Sequence, residues 1–305
     1  MKFLKHLVYD RERQRPTLII RLGLYLLVFL ILLVPGELLL ADEGHESVWQ
    51  EAQSLLLMAA SALLAAWIFC RFVDRRAFAE LGFGKALTWW RDCGIGCLIG
   101  GLCALLPFLL GLMLGWVEVF GTWKMANPRP GFWMQMIPEL LFLMGVAITE
   151  ETVFRGYLLT NLVESFRREG LRRVGTACAV LISSLLFGLS HIANTGAGTW
   201  GLMGISLAGL AWALWRVRSQ SLAMPLGAHF AINLVYFNVL GGMGPGGDLG
   251  SHTTLFWTSW RTGGFVSTDL GLSWSMILYL SSQFLMLVLG LLWIRWTGSR
   301  RQRAE

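Results

Sequence analysis

Eight windows of the chain, near residues 17–41, 50–70, 93–117, 132–160, 174–195, 199–215, 222–241 and 272–294, are apolar over nearly their whole length. At 1.5 Å of rise per residue, about 20 apolar residues cross a bilayer's hydrocarbon core. Lipid offers no partner to an open backbone, so such windows must close their hydrogen bonds as helices. The expected fold is therefore all-α: a polytopic membrane bundle of about eight transmembrane helices. Composition agrees. The chain is 55% hydrophobic and 14% charged, where a soluble protein carries about 25% charged residues.

Charge between the windows sets the expected orientation. Residues 1–16, 71–91, 161–173, 216–221 and the tail carry most of the arginines, while the alternate loops are acidic or weakly charged. Eight spans with both termini cytoplasmic satisfy the positive-inside rule at every loop. The net charge of +6 thus reports topology and not a nucleic-acid partner. A cleaved signal peptide is the alternative reading of residues 1–41, but the long basic region and the full-length apolar run favour an anchor. Cys93 and Cys97 stand four apart, not as C-x-x-C, and all five cysteines read as apolar packing residues. His6, His45 and His252 read as surface histidines. Phe72–Arg91 reads as an amphipathic piece at the cytoplasmic interface, and the Gly-rich 241–271 segment as a lid or an interfacial loop.

The fourth window ends in Thr149-Glu150-Glu151-Thr152-Val153-Phe154-Arg155. An ionised side chain at a bilayer centre costs roughly 2.5–3.5 kcal/mol, so three within six residues need a reason. Glu151 and Arg155 are four apart and can pair on one helical face. Glu150 is turned about 100° away and is free for chemistry. Glu139, earlier in the same window, is expected near the interface. Two further polar clusters lie inside windows: Phe187 to His191, and His229 with Asn233 one turn on. Counted from the nearest basic loops, Glu150, His191 and Asn233 come out about 22–27 Å deep. His229 comes out lower, about 16 Å, with Pro225 disturbing the count. One carboxylate, two imidazoles and an amide in a shared layer suit amide hydrolysis by activated water. Glu150 would act as the base, its pKa raised by the low-dielectric setting. His191 could share the water, and His229 with Asn233 could hold an oxyanion. Ser183, Ser184 and Ser190 read as helix-packing hydroxyls. There is no H-E-x-x-H, but a zinc ion on Glu150, His191 and His229 stays open on residue types alone.

These motifs resemble those of the CAAX protease and bacteriocin-processing family (the abortive-infection family), intramembrane endopeptidases related to the type II CAAX prenyl protease. Its pattern is matched by Glu150-Glu151-x-x-x-Arg155, Phe187-x-x-x-His191 and His229-x-x-x-Asn233, in that order, with the likeness covering about residues 135–240. The resemblance implies a glutamate-dependent, metal-free peptidase without cofactor. Glu150 and His191 would activate water, His229 and Asn233 would form the oxyanion hole, and Glu151, Arg155 and Phe187 would support them.

The expected organisation is a three-span segment at 1–130, a four-helix catalytic core at 131–243, and a Gly-rich loop with a last helix at 244–305. The expected partners are a membrane-associated peptide or protein substrate and the lipid bilayer of a prokaryotic inner membrane. The competing classes are a proton- or ion-coupled carrier, which the lack of an internal repeat disfavours, and a non-catalytic immunity or scaffold protein.

Overall fold

The computed structural model describes residues 9–10, 14–40, 48–84, 86–125, 131–168, 172–194, 198–241, 253–261 and 274–302. His6, His45 and His252 lie outside them. The fold is an all-α bundle of α1 (Leu18–Leu40), α2 (Val48–Ile68), α3 (Leu87–Met113), α4 (Phe132–Glu150), α5 (Leu159–Arg168), α6 (Arg172–Leu189), α7 (Thr199–Ser219), α8 (Ala223–Asn233) and α9 (Trp274–Gln302). Two small ribbons accompany it: β1 (Tyr9–Asp10) with β2 (Arg15–Pro16), and β3 (Val117–Lys124) with β4 (Thr254–Trp260), both antiparallel.

Among the described residues six helices are long and apolar enough to cross a membrane: Leu18–Leu40, Val48–Asp74, Leu87–Met113, Phe132–Phe166, Thr199–Ser219 and Trp274–Gly298. The other two expected spans are short. One is Arg173–Leu189; the other is α8 with its continuation to Val239. Both carry candidate site residues and are packed among longer neighbours, so they need not span a bilayer unaided.

The third span differs from expectation at both ends. Its helix begins at Leu87 and takes in Trp89, Trp90 and Arg91, while Val117 already belongs to β3. The expected interfacial piece is therefore a π-type turn at Phe69–Asp74, a 3-10 turn at Phe78–Leu81 and the start of α3. The Gly-rich segment likewise contains structure. Its described part is mainly β4, which pairs with β3 from Val117↔Trp260 to Lys124↔Thr254 around a bulge near Val119 and Gly121.

Side-chain contacts define the two ends of the bundle. At one, Arg15 before α1 reaches Asp74 after α2 and Glu164 of α5, and Trp293 of α9 donates to Asp92 of α3. At the other, Trp116 after α3 meets Trp274 at the start of α9, and the Thr253 N–H donates to Glu139 of α4. Glu139, expected near the interface, is buried, and Asn238 donates to the carbonyl of the same Thr253. The helices that meet at these ends thus alternate in direction.

Glycines set how closely the helices that carry the site approach their supports. A Cβ on Gly100 of α3 would stand 2.7 Å from the Ala228 backbone of α8, and one on Gly145 of α4 would stand 2.7 Å from the Leu55 carbonyl group of α2. A Cβ on Gly227 would collide with the Cys93 carbonyl. Van der Waals contact of this closeness drives helix association in lipid, where no hydrophobic effect acts between helices. Gly100→Leu is expected to push α8 away from α3 and to cost at least the 1–3 kcal/mol or so of ordinary overpacking. Thermal unfolding of the purified protein in detergent checks this; an unchanged midpoint would contradict it.

Candidate functional site

Glu150 is the last residue of α4, and the chain then widens into a π-type helix from Glu151 to Leu158. Asn233 is the last residue of α8, and the same change follows it, from Leu234 to Val239. π-type irregularities of this kind are found often at functional sites. His191 lies in the turn just beyond α6, its N–H bonded to the Gly188 carbonyl. Three elements therefore deliver the four expected residues, Glu150, His191 and Asn233 from helix ends and His229 from within α8, one turn before Asn233.

All four line one cavity of about 400 Å³, together with Phe187, Trp212, Tyr236 and Tyr279. Within it, His229 Nε2 stands 3.5 Å and His191 Nε2 3.8 Å from the same Glu150 oxygen, Oε2. The Glu150 carboxylate is about a quarter exposed, whereas Glu151 and Arg155 are wholly buried. Each imidazole is fixed through its other nitrogen. His191 Nδ1 lies 2.8 Å from the Phe187 carbonyl, which only accepts, so the nitrogen donates and Nε2 of the neutral ring is left as an acceptor. His229 Nδ1 lies 2.9 Å from Glu151 Oε1 and donates to that carboxylate.

Glu151 therefore has two partners on the same oxygen, Arg155 Nη1 at 2.9 Å and His229 Nδ1 at 2.9 Å. The pair that the i,i+4 spacing predicts is present, and it also orients the histidine of another helix. Aromatic rings complete the support. Trp212 stacks on His229 with centroids 4.6 Å apart and planes 20° from parallel. The Phe187 ring meets His191 edge-on at 4.9 Å and takes the Arg155 guanidinium 3.8 Å from its centroid. This geometry lets a cation hold its place without a second carboxylate. Trp212 sits in an apolar run of α7 with nothing in the sequence to separate it from the other tryptophans.

Ser184 donates to the Val180 carbonyl within its own helix, Ser183 across to the Phe154 carbonyl, and Ser190 to the Phe187 carbonyl with its oxygen 3.2 Å from His191 Nδ1. Among the described residues no group of three or more His, Cys, Asp or Glu side chains is disposed to hold a metal ion.

With that geometry in place, comparison with known families finds a match. The sequence model of the type II CAAX prenyl endopeptidases, Rce1-like, matches residues 132–235. These residues are similar to that family. Comparison with curated proteins and with solved structures gives no match. The matched segment opens on the first residue of α4 and closes two residues beyond Asn233, so Glu150, Glu151, Arg155, Phe187, His191, Trp212, His229 and Asn233 fall within it, while the cavity-lining Tyr236 and Tyr279 do not. Helices α1 to α3 and α9 lie outside the match and supply the walls against which it packs.

Proposed function

We propose that the chain is a membrane-embedded endopeptidase that hydrolyses a peptide bond in a membrane-associated peptide or protein. The observation that carries this is the convergence of two imidazole Nε2 atoms on one oxygen of Glu150, in a cavity that Asn233 also lines. The Rce1-like match over the same helices supports it. Gaps of 3.5 Å and 3.8 Å are too long for direct hydrogen bonds and suit a water between the groups.

In this reading Glu150, assisted by the acceptor nitrogen of His191, takes a proton from that water as its oxygen bonds to the substrate's carbonyl carbon. The carbonyl oxygen becomes an oxyanion. Asn233 donates to it from its amide, and His229 donates from Nε2. Because His229 Nδ1 already gives its hydrogen to Glu151, the second donation requires the imidazolium form, with Glu151 as its counter-charge. Collapse breaks the C–N bond, and Glu150 returns the proton to the leaving amine. The water nucleophile needs no serine, cysteine or metal ligand beyond these groups. The apolar remainder of the cavity, with Phe142, Ile205 and Ile232, suits a substrate that arrives from lipid. In this reading the arginine-rich end, and with it both termini, faces the cytoplasm of a prokaryotic cell, an orientation that the loop charge supports.

Asn233→Ala tests the oxyanion assignment. Removing one such donor costs about 10²–10³ in turnover, with the protein's folding unchanged because Asn233 is only partly buried. The check is single-turnover cleavage of a detergent-solubilised peptide pool by purified protein. Turnover within threefold of the wild type would remove Asn233 from the mechanism.

A further inference from the structure

At the arginine-rich end a second hollow, of about 980 Å³, opens between the approach to α1, the turn after α2, α5 and the end of α7. Arg15, Arg75, Arg76 and Arg216 line it, and Arg21 stands directly behind. Against these five guanidinium groups there are three carboxylates, Asp74, Glu80 and Glu164. Asp74 is shared by Arg15 and Arg21, and Glu164 by Arg15 and Arg76. Glu80 caps the Ala77 N–H.

Two cations are left without a carboxylate. Arg216, almost wholly buried, is held by neutral acceptors: the Glu80 and Leu81 carbonyls at 2.7 Å and 3.2 Å, and the Thr160 hydroxyl at 3.3 Å. Arg75 is exposed and has no ion pair among the described residues. Its backbone is held at φ 55°, with its N–H on the Cys70 carbonyl, so its guanidinium is presented at the hollow from a turn that few side chains adopt readily. Burial, with Arg21 and Arg76 close by, also pulls the Arg15 guanidinium below its usual pKa range. Like charges gathered under burial lower their mutual cost when an anion joins them.

We propose that this hollow binds a phosphate-bearing anion, and that its place at the ends of membrane helices makes the headgroup of an anionic phospholipid the source. Arginines present planar forked donors that match phosphate oxygens. Basic pockets between transmembrane helices on the cytoplasmic side are suited to such headgroups. Leu159, Val163 and Val217 supply an apolar floor, against which the glycerol and first acyl carbons rest. The site lies on the helix that carries Glu150: Thr160 is ten residues further on, about 15 Å along the axis.

The test uses the full-length chain purified in neutral detergent, with phosphatidylglycerol, phosphatidylcholine or inorganic phosphate added, and reads bound lipid by native mass spectrometry and the unfolding midpoint. Phosphatidylglycerol is expected to remain bound and to raise the midpoint where phosphatidylcholine does neither. Arg75→Gln, an exposed change, is expected to weaken retention about fivefold. Arg91→Gln, which removes the same charge at the same end away from the hollow, leaves retention unaltered. Protection by inorganic phosphate alone would support the phosphate site and assign it to a soluble anion. Equal behaviour of the two lipids with no effect of phosphate, or equal losses in the two variants, would overturn the proposal.

Discussion

Glu150→Gln lowers turnover by roughly two to four orders of magnitude, the usual contribution of a positioned general base, while the protein accumulates and unfolds as the wild type does. Glutamine keeps the shape of the side chain and an oxygen at the Oε position, so the cavity wall between His191 and His229 stays filled. What is lost is the ability to take a proton from water and return it to the leaving amine. The stability expectation follows from geometry. Glu150 makes no contact shorter than 3.5 Å with either histidine, and its carboxylate retains partial exposure. Purified variants assayed beside a circular-dichroism melt check both halves. A variant that is inactive and unfolded would say only that the carboxylate holds the bundle together.

Arg155→Ala acts in the opposite sense, on the fold first. It removes the permanent cation bonded to the wholly buried Glu151 carboxylate. Breaking a buried pair from one side costs about 3–5 kcal/mol, since the remaining charge is stranded. It also empties the stack on Phe187. Most of the variant is expected to be degraded or to melt well below the wild type. Arg155→Lys recovers part of the stability but not the planar stack. In the double variant Glu151→Leu with Arg155→Leu both charges leave together, and stability is expected to return further than in either single change. Activity stays lost, because His229 no longer has the acceptor that fixes its Nδ1 hydrogen. A double variant as unstable as the singles would show that the pair is not the unit described here.

The polar layer was legible because lipid makes each ionisable side chain conspicuous. Glu150, His191, His229 and Asn233 stand out from apolar surroundings, and one face of α8 brings the last two together at a spacing of four. The bond from His229 to Glu151 was not legible. It joins residues 78 positions apart, and Arg155, one turn from Glu151, already satisfied the acid on paper. Trp212 was hidden for a different reason: an aromatic in an apolar helix carries no mark of what it stacks on. The β3–β4 ribbon was missed because each strand reads as loop until its partner is known, and that partner lies more than a hundred residues away. Packing of α3 on α8 could be suspected from Gly96 and Gly100, but its closeness depends on Gly227 and Ala228 facing them, which helical periodicity alone does not fix.

The central claim is that the Glu150 cavity cuts peptide bonds, and the most direct test is to label new peptide termini in membranes from cells expressing the wild type or Glu150→Gln at equal levels. The account predicts a set of new termini in membrane-associated peptides that is present with the wild type and absent with the variant. The same termini in both membranes would contradict it.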